Sequence, residues 1–347
     1  MNHYRFALIG FGNVGRAFAR LLMRKESELR EKYGLTFHVT GIATGRHGIA
    51  INAAGLDLNA ALNLIESGQS IVPLSTHTIL NTSDFIHTVS AEVLFENSPV
   101  NHHTGEPAVT HLRQALEHGM HAITANKGAV VHAYHELTAL AQKAGRKFYF
   151  ESTVMDGAPI FSLFRSALPG VQLKSLRGIL NSTTNLILNR MENGETLEQA
   201  IQYAQAIGIA ETDPSADVDG WDAAIKIAAL VTVLMDMPLK PDQVAREGIR
   251  GITPAHIAEA RAQGKRWKLV CTAQRDGNTV TARVAPEMVT PDSPMFSVEG
   301  TSSIVEFETD ALTSLSIVEG NPGPETTAYG LLADFINAVK EDRLKAL

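Results

Sequence analysis

"YRFALIGFGNVGRAFARLLMRKESELREKYG", Tyr4 to Gly34, is the stretch on which the fold turns. Tyr4 to Ile9 is a short apolar run of strand length. From Val14 to about Lys32, apolar residues recur at helical spacing, with Val14, Ala17, Phe18, Leu21 and Leu22 on one face. Between the two lies G-x-G-x-x-G, formed by Gly10, Gly12 and Gly15. Gly10 permits a tight turn, Gly12 lets backbone approach a pyrophosphate, and Gly15 permits close helix–strand packing. Asn13 and Val14 lie inside the same turn and count with it as cofactor contacts. The helix N-terminus then faces the phosphates. Set after a strand and before a helix, the pattern predicts a dinucleotide-binding lobe. The plainer alternative is a glycine turn in some other α/β protein.

The next apolar run, "TFHVTGIA" (Thr36 to Ala43), is expected to end where the adenosine ribose sits. An NAD enzyme usually places Asp or Glu there to hold the 2′-hydroxyl. This chain has "ATGRHG", with Thr44 in that area and no carboxylate until Asp57. Arg46 and His47 are placed to meet a 2′-phosphate, so NADP(H) is favoured over NAD(H). A further strand, "AEVLFENSP" (Ala91 to Pro99), empties into a loop at the sheet's carboxyl edge, and Ser98 in that loop counts as a cofactor contact. A helix follows from Val109 to His118, then a stop at Gly119 and a strand ending at Thr124. Lys127 comes just after that strand end, a candidate for cofactor or substrate anions; an ordinary surface lysine is the alternative.

A chain of 347 residues is long for one domain, and two lobes are expected. The formal charge of −7 argues against nucleic acid, because a duplex binder presents a basic face. The single cysteine, Cys271, excludes an intramolecular disulfide and a multi-cysteine zinc site, and reads as a small core residue on a strand. His102 with His103, or His132 with His135, raise a metal reading, but neither pair belongs to an HExxH arrangement or a matching cluster, and solvated helix and loop histidines explain them better. The start, "MNHYRFALIG", shows no basic region followed by a long apolar run, and the longest apolar stretch, Ile227 to Met235, is far shorter than the ~18 residues a membrane span needs. A cytoplasmic protein that binds no membrane is expected.

The second half holds "ETDPSADVDGWDAAIK", Glu211 to Lys226, an acid-rich stretch with one lysine running into the apolar "IAALVTVLM". Charges without partners are costly to bury, so this is either a capped helix start or a turn lining a pocket. Asp222 and Lys226 stand four apart and share one helix face.

Four stretches, "GFGNVG", "TANKG", "GILNSTTN" and "AQAIGIAETDPSADVDGWDAAIK", together resemble homoserine dehydrogenases. In the last, Ala204, Gly208, Asp213-Pro214, Asp217, Gly220, Asp222 and Lys226 carry the likeness. "TGEPA" (Thr104 to Ala108) and "GNPGPETTAYGLLAD" (Gly320 to Asp334) are also similar, so the resemblance runs from about residue 4 to 335. It implies an α/β fold: a Rossmann-type doubly wound parallel sheet at 1–150, and an α+β catalytic and dimerisation lobe with an open sheet at 151–318. A C-terminal segment, 319–347, then returns to the first lobe. "LKSLRGIL" suits a strand, and "KLVCTAQRDGNTVTARVAP" suits a hairpin around Asp276-Gly277-Asn278. The resemblance is to the short form of the family, without an aspartokinase or a C-terminal ACT regulatory domain, and little threonine inhibition through a separate domain is expected.

The resemblance also implies reversible NAD(P)H-dependent reduction of L-aspartate 4-semialdehyde to L-homoserine, in the branch leading to threonine, methionine and isoleucine. By the same resemblance, Glu211, Asp217 and Asp222 hold the substrate, Lys226 is the acid, Lys127 lies near nicotinamide and substrate, Gly323 touches the cofactor, and the enzyme is a homodimer. "ESTVMDGAP" matches a monovalent-cation loop, with Glu151, Val154, Asp156 and Ala158 as oxygen donors to Na⁺ or K⁺. Two departures stand out: Met155 and Asp156 where small residues are common, and Ser182 where glycine is usual. They leave open a related reductase of another small semialdehyde; a catalytically silent dinucleotide sensor is the reading from a different class.

Overall fold

Strand β1 (Asn2–Ile9) sinks inward along its length, so that Phe6 to Ile9 are buried. Helix α1 (Asn13–Tyr33) lays Ala17, Phe18, Leu21 and Leu22 inward, with Arg30 and Lys32 at its dipole-negative end. It stops at Gly34, whose φ of 62° suits the left-handed helix end. β2 (Leu35–Ala43) runs parallel to β1, and β3 (Ile49–Ile51) folds back antiparallel onto β2. Two helices follow, α2 (Leu58–Glu66), capped by Asp57, and α3 (Thr82–Thr88), capped by Asn81. β4 (Val93–Glu96) pairs with the other side of β1. Then come α4 (Ala108–Glu117), β5 (His121–Thr124), α5 (Lys127–Ala144) and β6 (Phe148–Tyr149).

The strand order β3-β2-β1-β4-β5-β6 makes a doubly wound sheet, parallel except for β3. The chain leaves β1 towards β2 and later returns to its other side at β4. That reversal opens a ligand crevice at the carboxyl ends of β1 and β4.

This computed structural model describes residues 1–340, and the chain forms two units. The second, Ile160–Pro322, holds β7 (Leu173–Ile179), α6 (Ser182–Glu192), α7 (Leu197–Ala206), α8 (Ser215–Val218), α9 (Trp221–Leu234), β8 (Ala245–Arg246) and α10 (Pro254–Ala262). β9 (Arg266–Asp276), β10 (Thr279–Val289), β11 (Ser303–Thr309) and β12 (Leu315–Glu319) complete it. Its open mixed sheet has the order β12-β11-β7-β9-β10-β8. β9 and β10 meet in a hairpin across Gly277-Asn278, with Asp276 opposite Thr279 and Gly277 at φ 57°. Cys271 lies buried on β9.

From Gly323 the chain belongs to the first unit, where α11 (Pro324–Val339) packs against α1. Phe335 of α11 meets Phe6 edge-on at 4.8 Å, and Phe95 packs on both Phe6 and Phe18. Residues 151–159, assigned to the second lobe from sequence, lie in the first unit. The reason is a set of ties to α11: Glu151 N–H donates to Asp334 (2.7 Å) and the Ser152 hydroxyl to the Thr327 carbonyl (2.7 Å). A Cβ on Gly330 would stand 2.2 Å from that hydroxyl, so the contact depends on glycine. The C-terminal segment 319–347 is described as far as residue 340. Among the described residues, no helix is long and apolar enough to cross a membrane.

Candidate active site

In the first unit, three loops converge at the carboxyl end of the sheet. Gly10 has φ 84°, and its N–H donates to the Ala43 carbonyl at the end of β2 (2.9 Å). A Cβ on Gly10 would stand 2.3 Å from the Asn97 carbonyl oxygen, and one on Gly15 would stand 2.4 Å from the Gly10 carbonyl oxygen. A Cβ on Gly12 would meet nothing within 4 Å. Backbone therefore fills the space at Gly10 and Gly15, while Gly12 opens onto room for a phosphate. Helix α1 has no side-chain cap and no acid in its first turn, so its N-terminal dipole and N–H groups suit an anion. Asn13 and Val14 begin this helix, and the Asn13 side-chain oxygen Oδ1 accepts from the Arg16 guanidinium (2.8 Å).

Beyond β2, the Thr44 hydroxyl donates to the Gly48 carbonyl (2.9 Å) and accepts from the His47 N–H (2.7 Å), closing the turn that leads into β3. Arg46 stands exposed at its tip, while His47 is held by the Gln69 carbonyl (3.0 Å). Beyond β4, both amide atoms of Asn97 and the hydroxyl of Ser98 are buried with no hydrogen-bond partner in the protein. Orphaned polar groups of this kind suit a polar ligand. Lys127 opens α5, whose cap Asn126 donates to the Ser98 carbonyl (3.0 Å) and accepts from the Gly128 N–H (3.1 Å). Gly323 caps α11, with open space where a Cβ would be. A pyrophosphate and a polar ring system fit this set of groups.

The second unit gathers a different chemistry. Lys226 lies one turn along α9 from Asp222, and its Nζ is 2.9 Å from Asp222 Oδ2. The same ammonium donates to the Leu180 carbonyl (2.7 Å), just past the end of β7. Asn181, the cap of α6, donates to Asp217 (2.6 Å) and to Asp222 (2.9 Å), while its carbonyl oxygen accepts from the Thr184 N–H (2.8 Å). Both ends of that amide are thus engaged, which fixes the side chain. Burial, with the negative charge of Asp222 beside it, raises the Asp217 pKa above the ordinary aspartate value. Asp217 caps nothing: the residue before α9 is Gly220, at φ 78°. Glu211 is exposed in the segment before α8, where its carbonyl accepts from Gln205 (3.1 Å), and none of the hydrogen bonds or ion pairs described here links it to the three charged residues.

Asn97 and Asn181 were missed from sequence. "NSTTN" places Asn181 next to Ser182, and its spacing to a helix start marks it as a cap, but only the fold shows it bridging two carboxylates. The Ser182 hydroxyl lies 3.3 Å from that of Ser303 on β11. His132 bonds the His102 carbonyl (2.9 Å), and no group of three potential metal-ligating side chains occurs among the described residues.

The loop bearing Glu151, Val154, Asp156 and Ala158 turns through Met155 (φ 55°) and Asp156 (φ 46°). Left-handed backbone favours glycine, which is the physical meaning of the small residues common there. Asp156 offsets the cost in part by accepting from the Thr326 hydroxyl (2.9 Å). Glu151, Val154 and Ala158 are buried.

Reduction of a carbonyl asks for a bound hydride carrier and a fixed proton donor. These parts place the protein among the NAD(P)-dependent oxidoreductases. Two family profiles match the chain: the homoserine dehydrogenase NAD binding domain over residues 10–151 and homoserine dehydrogenase over 159–336. The homoserine dehydrogenase of Methanocaldococcus jannaschii is 37% identical over 95% of this chain and 97% of its own length. The NAD(+)-dependent homoserine dehydrogenase of Pseudomonas canavaninivorans is 34% identical over 97% of this chain and 96% of its own. A hyperthermophilic archaeal homoserine dehydrogenase, solved in complex with NADPH, superposes with a TM-score of 0.82 at 29% identity, covering 97% of this chain and 98% of that one. The chain belongs to the homoserine dehydrogenase family.

Proposed function

We propose that the protein reversibly reduces L-aspartate 4-semialdehyde to L-homoserine, in the branch that leads to threonine, methionine and isoleucine. The observation that carries this reading is the ammonium of Lys226, held between Asp222 and the Leu180 carbonyl. When bound, the dinucleotide supplies the hydride. As the new C–H bond forms, an electron pair moves onto the carbonyl oxygen; Lys226 steadies that charge and gives up a proton to it. Asp217 and Asp222, with Glu211, provide the acids that an α-ammonium group requires, and Lys127 provides a cation near nicotinamide and substrate. The direct test follows NADPH oxidation with aspartate semialdehyde beside other small aldehydes. Faster turnover of another aldehyde would move the protein to the related-reductase reading.

Preference for NADP(H) belongs to the same proposal, supported by the exposed Arg46 and the lack of an acid before Asp57. Arg46→Ala is expected to weaken NADPH binding by about tenfold, a charge-assisted bond's worth, and NADH binding hardly at all. Equal losses in the two titrations would show that Arg46 does not read the phosphate. A monovalent cation at the Glu151–Ala158 loop is also proposed. Its mark is a rate that differs between Na⁺, K⁺ and a bulky organic cation at equal ionic strength; identical rates in all three would remove it. Resemblance carries a homodimer into this reading as well, and a cytoplasmic location is proposed beside it.

A further inference from the structure

We propose that Glu96 is a positioning residue for the nicotinamide half of the cofactor, acting through Asn97 and Ser98. Glu96 ends β4 with a carboxylate that is fully buried. Two donors meet its Oε1, the Ser98 N–H at 3.1 Å and His111 Nδ1 at 3.3 Å, while the one proton of the Thr124 hydroxyl is shared between the Glu96 backbone carbonyl (2.8 Å) and Oε2 (3.3 Å). A carboxylate only accepts, so Nδ1 is the protonated nitrogen of His111. The Thr124 hydroxyl also accepts from the Asn126 N–H (2.9 Å), and Asn126 in turn bonds the Ser98 carbonyl. The network thus closes on the turn after β4 from both sides, and it includes the cap of the helix that Lys127 begins.

What the network holds is a turn whose own side chains have no partner. The Asn97 N–H is pinned to the Ile9 carbonyl (2.7 Å), yet both its amide atoms and the Ser98 hydroxyl are buried and unbonded. An unsatisfied buried polar group is costly, and a polar ligand removes that cost. In a doubly wound sheet the adenosine half lies over β2 and the other half crosses towards β4. The groups left open after β4 therefore face the nicotinamide half, and Glu96 fixes the turn that presents them. The carboxylate is suited to this task because one charged oxygen accepts from two N–H donors at once. An amide in its place keeps one oxygen for the Ser98 N–H and His111 but loses the charge that strengthens both bonds, so the turn is held less firmly.

The test is a pair of binding measurements on Glu96→Gln, using NADPH and the adenosine-side fragments ADP and 2′,5′-ADP. We expect NADPH affinity to fall by about tenfold, the worth of one hydrogen bond to a charged group, with fragment affinity unchanged. A purely structural role would lower whole-cofactor and fragment affinity by the same factor, and that result overturns the proposal. Unchanged NADPH affinity overturns it as well. If Glu96→Gln does not fold, Thr124→Val removes one donor at similar volume and carries the test, with a loss of about threefold for NADPH alone. Failure of the wild-type protein to bind any of these probes would strike instead at the dinucleotide reading.

Discussion

Lys226→Ala is expected to lower kcat at least ~100-fold, the low end for loss of a general acid, while NADPH affinity stays within about twofold. The described bonds of Lys226 to Asp222 and to the Leu180 carbonyl are both made within the second unit. The ammonium is held by a carboxylate one turn away, which aims it. Removing it takes one partner from Asp222, so a modest loss of stability accompanies the loss of rate. Lys226→Arg should remain poor, because a guanidinium holds its protons too tightly and has a different shape. Stopped-flow measurement of NADPH oxidation, with cofactor affinity read separately, checks this. Near-normal turnover in Lys226→Ala would pass the acid role to Lys127 or to water.

The i,i+4 pair of Asp222 and Lys226 was legible in the sequence because helix geometry converts spacing directly into proximity. So were β1, the glycine turn and α1, where apolar period and turn chemistry agree. The role of Asn181 was not legible, since its contacts to Asp217 and Asp222 span 36 and 41 residues and depend on how β7 delivers the start of α6 beside α8 and α9. Asn97 escaped for a different reason. A polar residue after a strand is ordinary, and only burial of its amide without a partner sets it apart. The edge of the first lobe was misplaced because residues 151–159 are held by α11, nearly two hundred residues on, through single hydrogen bonds that leave no periodic trace. Glu211 was placed with the other acids by pattern alone, and the structure leaves it exposed.

Gly10→Ala is expected to lower stability by about 2–5 kcal/mol and, in whatever folded protein is recovered, to weaken NADPH binding by more than tenfold. Two separate costs meet at this residue. A φ of 84° lies where an L side chain is strained by about 1–2 kcal/mol, and the added methyl would stand 2.3 Å from the Asn97 oxygen and 2.9 Å from the Ser98 nitrogen. Those are backbone atoms, so no side-chain rotation relieves the overlap. The backbone has little room to yield either: the Gly10 N–H is tied to Ala43 (2.9 Å) and the Asn97 N–H to Ile9 (2.7 Å), joining β1, β2 and β4 at one point. Relief therefore means parting the turn after β1 from the turn after β4, the two loops that frame the crevice. Gly12→Ala provides the contrast. Gly12 has φ −76° and open space around its Cβ position, so the folded protein should keep its melting temperature and lose cofactor affinity alone, through a methyl placed where the pyrophosphate approaches. Thermal unfolding of both variants without cofactor, beside NADPH titrations, separates the two effects: a drop of at least ~5 °C is expected for Gly10→Ala and almost none for Gly12→Ala. Parental melting and parental affinity in Gly10→Ala would mean that the two turns can separate freely, and the crevice geometry drawn from them would be wrong.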